Sequence, residues 1–125
     1  MGVYTGIAQD NVTITSGNAV LQSMRVTNDA PPAIKTASFT LGANENFVIC
    51  EGAAAIVTVT LPAASSAPGR VVTIKNLSAT YTVISASTNV KPINSNTAGT
   101  GICAATAGAW AMLVSDGTNW VIMAS

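Results

Sequence analysis

Apolar and polar residues alternate along this chain with a period of two. In Val57-Thr58-Val59-Thr60-Leu61 the three aliphatic side chains fall on one side of an extended backbone and the two threonines on the other. The same beat recurs in NVTIT (11–15), AVLQSMRVT (19–27), RVVTIKNLS (70–78) and TYTVISAS (80–87). Successive side chains of a strand point to opposite faces, so this pattern is that of half-buried β-strands. Val, Ile and Thr fill the runs, and their branched side chains suit a pleated surface better than a helix. No stretch of about a dozen residues carries the 3.6-residue apolar period of an amphipathic helix. The expectation is an all-β chain.

Turn residues divide these runs. The double proline in NDAPPAIK (28–35) cannot sit in a central strand. It is read as a hinge between an N-terminal arm, residues 1–37, and a main module, residues 38–125. SFTLGANENFVICEG (38–52) holds two short strands joined around Gly42–Asn46, and Pro62 ends the strand that begins near Val57. Pro68-Gly69 suits a type II turn, in which glycine supplies the positive φ. VKPINSNTAGTG (90–101) is a polar loop around one short strand. GAWAMLVS and NWVIMA form a closing hairpin around Asp116-Gly117, with Trp110, Met112 and Val114 on one face. Strands every ~8 to 12 residues predict an antiparallel β-sandwich or jelly-roll-like module.

Charge is scarce. Five Lys and Arg, five Asp and Glu and no His leave a formal net charge of zero and 8% charged residues, against about 25% in an ordinary soluble domain. Such a surface invites association, so an oligomer or a subunit of a larger assembly is expected. Five cations spread from Arg25 to Lys91 cannot build the phosphate-neutralising stripe that nucleic-acid binding needs. No apolar run approaches the ~20 residues of a membrane span. The first residues, MGVYTGIAQDNV, have neither a basic region nor an apolar core of a secretion signal, and Gly6 breaks the myristoylation pattern. Synthesis in the cytosol is expected.

The groups that could carry chemistry are few. Without His, a serine nucleophile lacks its usual base and a metal site lacks its commonest ligand. Cys50 and Cys103 lie in apolar runs and read as small buried hydrophobes; spacing alone cannot establish the geometry of a disulfide. GTGICA (99–104) matches the dinucleotide fingerprint in letters, but the residues after it read as a hairpin and not as the required helix. An acid pair for glycoside cleavage would have to come from Asp10, Asp29, Glu45, Glu51 and Asp116; Glu45 and Glu51 flank one strand, and solvated loop carboxylates are the expected reading. Asn11-Val12-Thr13 and Asn76-Leu77-Ser78 match the N-glycosylation sequon and are taken as ordinary turn and strand residues. Trp110 and Trp120 are both expected as core anchors and not as a sugar-stacking platform. No catalytic, cofactor or metal residue is assigned, and the chain is not expected to be an enzyme.

Two long runs carry a resemblance. VTVTLPAASSAPGRVVTIKNLSATYTVIS and ATAGAWAMLVSDGTNWVIM, within Ser38–Ser125, resemble the short C-terminal β modules of tailed-bacteriophage virion proteins, especially tail fibres and other appendages. The matching residues are Leu61, Pro62, Pro68, Gly69, Lys75, Asn76, Trp110, Asp116, Gly117, Asn119 and Trp120. The resemblance implies a structural role on the virion, commonly as a homotrimer, and brings no catalytic residues. The chain lacks the long shaft that precedes the module in many family members, and its Asn89–Gly101 loop is richer in Asn and Thr than a tight hairpin. The implied role is therefore a small head decoration, cement or short spike protein, with its arm on the major capsid protein or another virion protein. The alternative is a receptor-binding fibre tip whose Asn89–Gly101 loop meets a host surface glycan. Neither nucleic acid nor membrane insertion belongs to either role.

Overall fold

The computed structural model describes residues 31–125. The strands expected at 11–15 and 19–27, Asn11 and most of the proposed arm lie outside the described residues. Ten strands follow in chain order: β1 (Ala33–Lys35), β2 (Phe39–Thr40), β3 (Phe47–Cys50), β4 (Val57–Thr60), β5 (Val71–Asn76), β6 (Val83–Ser85), β7 (Val90–Lys91), β8 (Gly101–Cys103), β9 (Ala109–Ser115) and β10 (Trp120–Ala124). A single 3-10 turn, Ala64–Ser66, interrupts them. Among the described residues the chain is thus nearly all β, as its alternation requires.

The strands form two open sheets, one ordered β1-β3-β5-β9-β10-β7 and the other β2-β4-β6-β8. From β1 to β6 the chain alternates between them, so each pair of strands makes a rung and the next rung stacks beside it. β1, β3 and β5 are mutually parallel, as are β2, β4 and β6. Antiparallel pairing enters only later, where β8 joins β6 and β9 lies between β5 and β10. The expectation of antiparallel sheets is therefore corrected to mixed sheets. The physical reason lies in the connections. A run such as Glu51–Ile56 carries the chain from one sheet to the other, and a strand that returns after such a crossing arrives parallel. Period-two patterning is the same for both pairings and cannot tell them apart.

Both sheets contribute inward residues to one core. Val48, Cys50, Val72, Ile74, Ala111, Leu113 and Trp120 come from the larger sheet; Val57, Val59, Val83, Ile102 and Cys103 come from the smaller. Val57, Val59 and Leu61 point inward as read from the sequence, Thr60 is exposed and Thr58 half-buried. The closing hairpin and the Pro68-Gly69 turn also occur where expected, Gly69 with φ 78° and Gly117 with φ 89°. Ala33–Lys35, placed in the arm, instead pairs with β3 as the first strand of the larger sheet. β2 and β3, joined around Gly42–Asn46, belong to different sheets.

Candidate interaction surface

The residues that carry the family resemblance divide by where they point. One set ties the crossings to the core. Trp120 is fully buried, and its indole Nε1 donates to the Pro62 carbonyl at 2.9 Å, which ties the Leu61-Pro62 segment after β4 to β10. Ser115 Oγ donates to the Ala64 carbonyl at 2.7 Å, and its own carbonyl accepts from Gly69 N–H at 2.8 Å. The Asp116 carboxylate accepts from the N–H groups of Thr118 and Asn119, and these bonds hold its pKa below the ordinary carboxylate value. DGTNW is thereby a self-closed turn.

Asn76 is the third tie. Its Nδ2 donates to the carbonyls of Tyr81 and Ala104 at 2.8 and 2.9 Å, while Oδ1 accepts from Ser78 N–H at 3.0 Å. The side chain is buried and fully used, which explains why its sequon letters stand at a strand end. Arg70 plays a similar part at the other end of β5. One guanidinium nitrogen donates to the carbonyls of Gly42 and Glu45 at 2.7 and 3.1 Å, and Nε donates to Asn46 Oδ1 at 3.3 Å. Glu45 in turn accepts from Gly42 N–H and pairs with Lys35 at 2.8 Å. Its carboxyl is held below the usual range by the Lys35 contact first and the Gly42 N–H second.

The remaining candidates are placed as follows. Glu45 is engaged with Lys35, and Glu51 is exposed beyond the end of β3. Gly101–Cys103 of GTGICA form β8, a strand that leads on towards β9. Cys50 and Cys103 are free and buried; burial pushes their thiols up to about 11 and about 12. Among the described residues no cluster of three or more His, Cys, Asp or Glu is gathered. The Asn89–Gly101 loop is pinned by the Val90 bridge to Gly99 and by Lys91 Nζ donating to Asn96 Oδ1 at 2.9 Å, with Ile93 exposed at its crown.

The feature left unpartnered is the outward face of the larger sheet. Strand register aligns its side chains in cross-strand rows. Ile34, Ile49, Lys75 and Trp110 form one row across β1, β3, β5 and β9. Phe47, Thr73 and Met112 form the next. Val71, Val114, Val121 and Lys91 form a third, reaching β10 and β7. Met123 stands at the irregularity in β10 and is exposed. Phe47 is 58% exposed and Trp110 42%. The expectation that Trp110 anchors the core is thus overturned: the alternation that sends Ala111 and Leu113 inward turns Trp110 out, away from buried Trp120. Trp110, Met112 and Val114 do share a face, as expected.

Sequence reasoning missed this face, although its signal was present. AWAMLV and WVIMA are nearly unbroken apolar runs, the pattern of strands covered on both sides rather than one. Contiguous exposed apolar fields are where interaction sites are commonly found on proteins. Compared with models of protein families, with curated proteins and with solved structures, the chain matches none.

Proposed function

We propose that this chain is a structural protein of a tailed-bacteriophage particle: a small homotrimeric head decoration, cement or short spike protein. Its β module, of sandwich or jelly-roll-like build, stands on the particle, and the residues ahead of β1 anchor it to the major capsid protein or another virion protein. The observation that carries the reading is the outward face of the larger sheet. An apolar field centred on Ile49, Trp110 and Met112 suits permanent assembly, in which interfaces resemble a divided core. The resemblance-bearing residues Pro62, Gly69, Asn76 and Trp120 agree with it, because each holds the scaffold and none is free to act on a substrate. Strand-like segments in the arm could join a neighbour by backbone pairing, which needs few charges.

The test is the protein's place on a particle. Gold-labelled antibody raised against the module should decorate the head lattice or a short head appendage of intact particles. Label confined to the tail tip would replace this role with the receptor-binding one, and particles without label would sink both.

A further inference from the structure

We infer that the outward face of the larger sheet binds a second copy of this chain, with Lys75 of one copy seated on Glu51 of the next. This rests on the oligomeric reading above and adds the surface and its charge registration. The ladder does not stop at the ends of β3 and β5. Glu51 N–H donates to the Lys35 carbonyl at 3.0 Å and Leu77 N–H to the Cys50 carbonyl at 2.9 Å. Alternation therefore carries Glu51 and Leu77 to the same side as Ile49 and Lys75, and both are exposed. Glu51 lies one strand across and two residues along from Lys75, a diagonal on the order of 7–8 Å.

Among the described residues, the ion pairs are Lys35 with Glu45 and Lys91 with Asp116. Neither Lys75 nor Glu51 has an ionic partner there. Lys75 stands between Ile49 and Trp110 in its row. Covering it with apolar surface and no counter-charge would strand a cation in a dry interface, which is strongly unfavourable. Lys91, at the far edge of the face, already pairs with Asp116; a face whose remaining charges are one cation and one anion in an apolar field is complementary to its own copy. Gathered around the threefold axis of a trimer, three such faces set the anion of one copy beside the cation of the next and aliphatic rows beside aliphatic rows. A nucleic acid would meet Glu51 as a like charge, and a foreign protein would have to reproduce the offset of the two unpaired charges. Pairing of opposite charges also sets the register that a merely greasy face leaves open.

The experiment uses the full chain and sedimentation equilibrium, with near-ultraviolet dichroism from buried Trp120 as the check that each variant is folded. The wild type should self-associate. Lys75→Glu and Glu51→Lys should each weaken association about tenfold or more, the double exchange should recover most of it, and Trp110→Ser should weaken it with no recovery. Ile93→Ser, on the Asn89–Gly101 loop, should leave it unchanged. A wild type that associates while the charge and Trp110 variants associate equally well overturns this surface and leaves the oligomeric reading standing. A double exchange no better than the single reversals overturns the Lys75–Glu51 contact. A wild type that stays monomeric overturns the oligomeric reading and this surface with it.

Discussion

Asn76 shows how one polar side chain can hold three segments. It sits at the end of β5, where it joins the turn at Ser78, the start of the β6 approach at Tyr81 and the exit of β8 at Ala104. Replacing it with Ala would strand two carbonyls and an N–H in a region the side chain now fills. The expected cost is about 2–3 kcal/mol. Asn76→Asp should fare no better, since a carboxylate accepts from Ser78 but faces two carbonyl oxygens with no donor. Urea unfolding midpoints check both; a change below about 0.5 kcal/mol would show that the network is redundant. From the sequence Asn76 was legible as a strand-end residue within one of the runs that carry the resemblance. Its partners lie as far away as Ala104 and could not be read.

At the scale of elements, the rungs depend on how each crossing is fastened. The Gly42–Asn46 loop connects strands of different sheets, and Arg70 fastens it from the start of β5. A planar guanidinium can reach two carbonyls and an amide oxygen together, whereas an ammonium cannot span the same fork. Arg70→Lys should therefore raise amide exchange across residues 42–46 by tenfold or more while the β5–β9 amides keep their protection. Equal exchange in the two proteins would mean that the Lys35–Glu45 pair holds the loop unaided. That pair has its own pH sign. Because the Glu45 carboxyl is held low, its contribution is present above the ordinary carboxylate pKa and fades as pH falls through the lowered value.

For the whole molecule, the two sheets meet over Cys50 and Cys103, one from each sheet. Desolvation raises both thiols, to about 11 and about 12 from an ordinary 9.0, and proximity to Cys50 adds to the second. The folded state thus keeps protons that the unfolded chain releases near pH 9. Stability is fully present below about pH 9 and is lost as pH rises through 11 to 12, by an amount on the order of a few kcal/mol. A Cys50→Ala, Cys103→Ala chain should be less stable at neutral pH but show a flatter alkaline decline. Parallel alkaline curves for the two proteins would refute the linkage. The charge-poor surface belongs to this scale too: it would suit the proposed assembly, in which the outward face of the larger sheet is covered by a second copy.

Local pattern alone determined most of the strands and their boundaries, though not β1, together with the inward set Val57, Val59 and Leu61 and the glycine turns. Each of these depends on side-chain alternation or on a backbone angle within a few residues. Tertiary structure decided the rest. Whether β3 and β5 run parallel depends on which sheet the chain visits between them, and β4 lies in the other sheet. Whether a tryptophan is buried depends on which face of its strand meets the second sheet, and Trp110 and Trp120 sit on opposite sides of one hairpin. The outward apolar face likewise exists only once six strands from six separate segments are set side by side in register.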